Sequence, residues 1–203
     1  MKRLVFGTRG SELALAQTRS VIAAVARQFP DIVCETKVIT TKGDRLLDKP
    51  LVEFGGKGAF ISEIEEKMKN GEIHAAVHSA KDMPAKLEDG LYIAGALERE
   101  NPTDVLVTTD WKGFLRKEHP VVGTSSLRRR EQISRHFPGC ECSLLRGNVN
   151  TRLKKLKDGL YDGIILASAG LKRLGLSDKA EFQYHEFTAD EMVPAGGQGI
   201  IVI

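Results

Sequence analysis

Residues 73 to 84 read Ile73-His74-Ala75-Ala76-Val77-His78-Ser79-Ala80-Lys81-Asp82-Met83-Pro84, an apolar run that turns polar and stops at a proline. Ile73 to Val77 predicts a buried strand reaching its carboxyl end. Pro84 blocks a continuing helix and biases Met83 toward an extended backbone. Lys81 and Asp82 therefore fall in a loop just past a strand end, where open α/β sheets hold their ligands. The plain alternative is a solvated Lys-Asp surface pair, so the surroundings decide between the two.

Upstream, Leu4-Val5-Phe6 predicts a first strand closed by Gly7-Thr8-Arg9-Gly10-Ser11, with Ser11 as N-cap of a helix from Glu12 to Gln28. Its apolar stripe would be Leu15, Ile22, Val25, Ala26 and Phe29. Ile32 to Thr41 alternates enough for a strand ending at Lys42-Gly43-Asp44. Gly55-Gly56-Lys57-Gly58 opens a second helix with Phe60, Ile61, Ile64 and Met68 on its buried side, a Glu63–Lys67 pair, and Asn70-Gly71 at its end. This glycine-rich start lacks the full phosphate-loop pattern, which favours a flexible lid carrying Lys57 over a nucleotide site.

Downstream, Leu91 to Leu97 predicts another strand, and Glu98-Arg99-Glu100-Asn101-Pro102 a polar crossover that marks a domain boundary. Asp104 to Thr108 begins a second set of elements. Pro120-Val121-Val122 leads into Gly123-Thr124-Ser125-Ser126, followed by a helix to Phe137 that bears Arg128, Arg129 and Arg130. Cys142 to Leu145 predicts a strand ending at Arg146-Gly147-Asn148. The next helix carries Leu153, Leu156 and Leu160 on one face and Arg152, Lys154, Lys155 and Lys157 elsewhere. Gly163 to Ala167 is a continuous apolar strand, followed by Ser168-Ala169-Gly170 and a short helix to Leu174. Strands alternating with helices give an α/β class with mostly parallel sheets. Gly7-Thr8-Arg9-Gly10-Ser11 and Gly123-Thr124-Ser125-Ser126 echo each other, each between a strand and a helix. Two similar halves, each presenting a helix N-terminus, would suit a ligand cleft between domains.

A chain of 203 residues suits one large or two small domains. The formal net charge of +3 is too weak to imply nucleic acid by itself. No window approaches the ~18 apolar residues of a membrane span, and the start reaches Gly7-Thr8-Arg9 before a signal-peptide core could form. Cys34, Cys140 and Cys142 make an odd number without a disulfide framework, and Cys140 and Cys142, two apart, would share one strand face. No zinc-like spacing surrounds them, so no metal site is expected. The expectation is a reduced, cytoplasmic protein.

A helix N-terminus offers unpaired N–H groups and partial positive charge to an anion. Two such termini here carry hydroxyls (Ser11, Thr124, Ser125, Ser126) and guanidinium groups (Arg9, Arg128, Arg129), with Arg146 at a further strand end and Arg152 one turn into the next helix. Arginine forks suit carboxylates or phosphates better than point-charge lysines do. A solvated helical face and a nucleic-acid stripe both compete for Arg128-Arg129-Arg130. The absence of interleaved aromatics for base stacking disfavours the second, and a small polyanionic ligand is favoured.

The chain resembles the porphobilinogen deaminase (hydroxymethylbilane synthase) family. The resemblance is carried by Gly7-Thr8-Arg9-x-Ser11, Gly55-Gly56-Lys57-Gly58, His78-Ser79-x-Lys81-Asp82-x-Pro84, Gly123-Thr124-Ser125-Ser126-Leu127-Arg128-Arg129, Leu145-Arg146-Gly147-Asn148-x-x-Thr151-Arg152, Ala169-Gly170-Leu171-Lys172-Arg173-Leu174-Gly175-Leu176 and Pro194-Ala195-x-x-Gln198-Gly199, in order along the whole chain. It implies two similar α/β domains of mixed, mostly parallel sheet flanked by helices, similar to periplasmic binding proteins of type II. Domain 1 would span 1–98 plus 196–203 and domain 2 would span 99–195, inserted in the first. It also implies an enzyme of tetrapyrrole (heme) biosynthesis that condenses porphobilinogen molecules stepwise, head to tail, with release of ammonia. The reaction would be primed by a dipyrromethane cofactor thioether-linked to a cysteine.

Carried over position by position, the resemblance makes Asp82 catalytic, stabilising a pyrrole-derived cation when ionised and protonating the leaving amine as an acid. Arg9, Ser11, Lys81, Ser126, Arg128, Arg129, Arg146 and Arg152 would hold acetate and propionate groups. Lys57, Ser79, Thr124, Ser125, Gly147, Ser168 and Gln198 complete the expected binding set. The family's cofactor cysteine lies in a third, C-terminal domain expected to be absent here, and none of Cys34, Cys140 or Cys142 falls in a matching motif. Glu53 and Gly197 also depart from the pattern. The expected partner is small-molecule porphobilinogen, with no nucleic acid or membrane, acting on a monomer. The alternative is a truncated, noncatalytic module that keeps only polycarboxylate binding.

Overall fold

The computed structural model describes residues 2–41 and 62–203. The expected lid with Lys57, the departure at Glu53, the strand end at Lys42-Gly43-Asp44 and the helix positions Phe60 and Ile61 lie outside them. In chain order the elements are β1 (Lys2–Thr8), α1 (Glu12–Gln28), β2 (Ile32–Val38), α2 (Ser62–Lys69), β3 (Ala75–Ala76) and β4 (His78–Ser79). After a 3-10 turn at Ala80–Asp82 come β5 (Asp104–Thr108), α3 (Trp111–Arg116), β6 (Val121–Gly123), α4 (Leu127–His136), β7 (Glu141–Ser143) and α5 (Val149–Lys157). β8 (Gly163–Ala167), α6 (Ser168–Arg173), β9 (Gln183–Glu186) and β10 (Ile201–Val202) complete the series. They divide into two compact units, Met1–Arg99 with Ile200–Ile203, and Glu100–Gly199.

In the first unit β1 is the central strand, parallel to β2 from Lys2↔Ile32 to Thr8↔Val38 and parallel to β3 through Phe6↔Ala75 and Gly7↔Ala76. Successive strand residues face opposite ways, and both faces are covered. Val5 packs with Ile64 of α2, Ile73 and Ala76, whereas Phe6 packs with Val21 of α1, Val77 and Ile201. β10 pairs antiparallel with β4, Ile201 opposite Ser79 and Val202 opposite His78. The tail thus returns to the first unit and braces the segment that carries the 3-10 turn.

The second unit is one five-stranded mixed sheet in the order β7-β6-β8-β5-β9. β7, β6 and β8 are parallel, and β5 runs antiparallel to β8 and to β9. Gly163-Ile164-Ile165-Leu166-Ala167 reads as continuous apolar sequence because β8 sits mid-sheet with helices on both faces. Ile164 and Leu166 join Val105, Val107, Leu153 and Leu156 on one side. Ile165 joins Leu106, Phe114, Val122 and Ile133 on the other. Full burial of each such side chain contributes about 2 kcal/mol.

The helix and strand bounds differ from the sequence reading in instructive places. α1 has the expected limits, with Ser11 Oγ accepting from the Ala14 N–H at 3.3 Å, but its buried residues are Gln17, Thr18 and Val21. Phe29 and Ala26 are exposed, while Ile22 and Val25 stay partly buried against the core. The stripe is rotated because Gln17 and Thr18 satisfy their polar groups internally, Thr18 Oγ1 on Ala14 O and Gln17 Nε2 on Ser79 Oγ. The run 73–79 splits into two short strands, since β3 pairs with β1 and β4 with β10.

Leu91 to Leu97 forms only an isolated bridge, Ala96 with Val202, although Ala94 and Leu97 donate their N–H groups to Ile203 and Ile201. Leu160 lies past the end of α5 and is exposed. Lys67 pairs with Glu72 at 2.7 Å. β7 covers Glu141–Ser143 rather than running on to Leu145. The sequence reading did not anticipate α3 and β9.

Candidate functional site

In the first unit the chain leaves β4 at Ser79 and turns tightly through Ala80-Lys81-Asp82. The turn is fixed at both ends, with Ala80 N–H donating to Ile200 O at 3.0 Å and Met83 N–H donating to Ala80 O at 3.1 Å. Met83 is extended (φ −68°, ψ 145°), as the proline after it requires. Asp82 is exposed at the end of this turn and Lys81 is half-buried beside it. Behind them Ser79 Oγ accepts from Gln17 Nε2 at 2.8 Å, which ties the turn to α1. Arg9 and Ser11 sit at the strand-to-helix junction, Arg9 half-buried and Ser11 capping α1.

His78, which sequence reasoning left out, belongs to the same surroundings. Its Nε2 is enclosed and, among the described residues, has no hydrogen-bond partner. Burial pulls its pKa down to about 4, against the attraction of the Asp82 charge and with help from the Arg9 charge. A neutral imidazole next to Asp82 adds no positive charge to the site at neutral pH. The folded value lies below the ordinary 6.5. The stability His78 contributes is therefore present above about pH 6.5 and lost as the pH falls toward 4. Ring-proton NMR should show His78 titrating near pH 4, and a midpoint near 6.5 would contradict this burial.

In the second unit the Thr124-Ser125-Ser126 turn feeds α4. Ser126 Oγ accepts from Arg129 N–H at 3.4 Å, repeating the Ser11 cap of α1, and Thr124 Oγ1 accepts from Ser126 N–H at 3.2 Å. Thr124 is buried and Ser125 exposed. The arginine run then divides. Arg129 is buried, its Nε and Nη2 donating to Asp104 Oδ1 at 3.1 and 2.7 Å and its Nη1 donating to Ile165 O at 2.9 Å. Arg128 donates from Nη2 to Asp104 Oδ2 at 2.6 Å and from Nη1 to Val193 O at 2.6 Å, and its side chain keeps 26% exposure. Gln198 Nε2 adds bonds to Asp104 Oδ1 at 2.9 Å and Pro102 O at 2.6 Å, and is buried.

Asp104, 0% exposed, is therefore the hub of this region. Burial alone would raise its pKa; the Arg129 charge, hydrogen bonds from Arg129 and Gln198, and the Arg128 charge outweigh this and hold it below the ordinary value. Two guanidinium groups on one carboxylate leave one net positive charge, and Arg128 is the member that reaches solvent. Arg129 and Gln198 brace Asp104 from within the unit. The clue lay in the sequence: an aspartate opening an otherwise apolar strand must find cationic or hydrogen-bonding partners.

Arg146-Gly147-Asn148 forms the other junction. Gly147 has φ +115°, and its carbonyl accepts from Arg152 Nε at 2.8 Å. Asn148 Oδ1 caps α5 by accepting from Thr151 N–H at 2.8 Å. A Cβ on Gly147 would lie 2.8 Å from Thr151 Cγ2. Gly147→Ala should cost about 1–3 kcal/mol through strain and contact, read as a lower urea midpoint, and an unchanged midpoint would contradict it. Ser168 opens α6 and is half-buried, its N–H donating to Thr103 O at 3.0 Å.

The family model described as "Porphobilinogen deaminase, dipyromethane cofactor binding domain" matches residues 4–203. A porphobilinogen deaminase of Sulfurimonas denitrificans is 47% identical over 100% of this chain and 65% of its own length. A probable porphobilinogen deaminase of Archaeoglobus fulgidus is 45% identical over 99% of this chain and 68% of its own length. The chain thus spans about two thirds of the length of such relatives. A periplasmic binding protein of Salmonella typhimurium, titled for its high arginine specificity, superposes with a TM-score of 0.52 at 12% identity, covering 100% of this chain and 85% of its own. That likeness carries the fold alone, which is the α/β architecture of type II periplasmic binding proteins. Both the sequence relatives and the family model name one kind of protein, and the chain belongs to the porphobilinogen deaminase family.

Proposed function

We propose that the chain performs the binding and acid–base work of a hydroxymethylbilane synthase. In this reading porphobilinogen molecules are joined head to tail, with loss of ammonia at each addition. The observation that carries the reading is Asp82, a carboxylate held at the solvent-facing end of a doubly anchored turn next to Lys81. In ionised form it would stabilise positive charge developing on a pyrrole as ammonia leaves, and its acid form would protonate the amine.

The donor set also fits a dipyrromethane, a small molecule with several carboxylates. Capped helix starts, the net positive Asp104–Arg128–Arg129 group and the Arg146–Arg152 junction each favour an anion. Arg9, Ser11, Lys81, Ser126, Arg128, Arg146 and Arg152 are the candidates to hold acetate and propionate groups. Bound, the dipyrromethane supplies a pyrrole with an open α-carbon to which the next unit is added. The protein's own part is to orient these carboxylates and to place Asp82 against the reacting ring. Free thiols at Cys34, Cys140 and Cys142 support a reducing, cytoplasmic setting.

The test is porphobilinogen turnover by protein made from its complete coding sequence, following ammonia and hydroxymethylbilane together. Stoichiometric release of both supports the reading. Tight binding of a dipyrromethane carboxylate without turnover would make the chain a polycarboxylate-binding module instead.

A further inference from the structure

Between β9 and β10 the chain runs through residues 187–200 without helix or strand, so its backbone groups turn to side chains for partners. One face of α4 supplies several of them. Arg128, Gln132 and His136 are spaced four apart and lie one above the other along the helix. His136 Nε2 donates to Glu191 O at 2.5 Å. Gln132, half-buried, does more. Its Oε1 accepts from Val193 N–H at 2.7 Å and its Nε2 donates to Val193 O at 3.1 Å. One amide thus pairs with both backbone groups of one residue, as a neighbouring strand would. Gln132 Nε2 also reaches Arg128 O at 3.3 Å.

The same Val193 carbonyl accepts from Arg128 Nη1 at 2.6 Å, while Asp104 Oδ2 accepts from Nη2 at 2.6 Å. The guanidinium is gripped at both terminal nitrogens, and its side chain is still partly open to solvent. The two anchors are not equally secure. Asp104 is fixed in β5 and held by Arg129 and Gln198 as well. Val193 stands on an irregular segment, its side chain 60% exposed, and Gln132 is what ties its backbone to α4.

We propose that Gln132 is a positioning residue for carboxylate binding: by holding the Val193 backbone on α4, it keeps Val193 O in place as the second anchor of Arg128. This rests on the reading of Arg128 as a carboxylate-holding group. A guanidinium already fixed at both ends gives up less rotamer freedom when it meets a carboxylate, and its planar fork is aimed before the ligand arrives. Without Gln132 the Val193 segment loses its tie, and Arg128 keeps only its bond to Asp104. A residue that merely stapled this segment would affect stability and would act independently of Arg128.

The experiment is a double-mutant cycle, with a dipyrromethane carboxylate titrated calorimetrically into protein made from the complete coding sequence. The proteins are wild type, Gln132→Met, Arg128→Ala and the double variant, each checked for native circular dichroism. Methionine keeps the length of Gln132 and removes its hydrogen bonds. Gln132→Met should bind about tenfold more weakly than wild type, but add less than about threefold to the loss in Arg128→Ala, because residues of one network do not act additively. If the methionine variant misfolds, Gln132→Glu takes its place. It keeps an acceptor for Val193 N–H but cannot donate to Val193 O, and it should weaken binding at least as much. Wild-type affinity in a folded Gln132 variant, or the same tenfold loss with Arg128 already removed, would overturn the assignment of Gln132 while leaving Arg128 as a ligand contact. Wild-type affinity in Arg128→Ala would instead overturn the carboxylate reading of Arg128, and this assignment with it.

Discussion

Asp104→Asn should lower the stability of the second unit by roughly 3–5 kcal/mol, the cost of leaving buried cations without their anion. Asparagine keeps the volume of Asp104, so packing of β5 between β8 and β9 is preserved. What disappears is the carboxylate that pairs with the guanidinium of buried Arg129 at 2.7 Å, and the anchor of Arg128 at 2.6 Å. The wild-type pair should also give an acid signature. The folded pKa of Asp104 is held below its ordinary value, so its stabilisation is complete above about pH 4. It is lost as the pH falls through the lower folded value. Urea midpoints measured from pH 7 to pH 2 should fall along a steeper acid limb in wild type than in Asp104→Asn. A loss under about 1 kcal/mol at pH 7, with matching acid limbs, would mean that Asp104 is not the hub.

The parts of this arrangement that could be read from the sequence are local ones. The Ser11 and Ser126 caps each depend on a hydroxyl reaching the N–H three residues on, and both helix starts formed where the residues place them. Pro84 fixed the extended Met83 for an equally local reason. β8 and β5 have the bounds their apolar runs imply because both strands are buried on two faces. The rest depends on partners far along the chain. Gln17 is buried because Ser79 accepts its amide, and no helical periodicity encodes that contact.

Nor does Arg128-Arg129-Arg130 announce which guanidinium turns inward. The answer lies in Asp104 and Gln198, distant in sequence on either side. The run at 73–79 divided for the same reason: β4 takes its partner from Ile201 and Val202.

Asp82→Asn, assayed in protein made from the complete coding sequence, should reduce turnover by roughly 10²- to 10⁴-fold, the usual contribution of a positioned acid or base. Asparagine fits the same turn, because the bonds that hold it come from the backbone of Ala80 and Met83 and not from the Asp82 carboxylate. Arg128, Ser126, Arg146 and Arg152 belong to other elements and are untouched by the change. Affinity for a dipyrromethane carboxylate should therefore stay within about threefold of wild type while the rate collapses. That split separates chemistry from binding, since loss of a carboxylate-holding residue would weaken both. Asp82→Glu, which keeps the charge but moves it by one methylene, should recover part of the rate. Turnover of Asp82→Asn within about tenfold of wild type, roughly 1.4 kcal/mol of barrier, would show that the chemistry rests on another group, and Asp82 would then be an ordinary surface carboxylate.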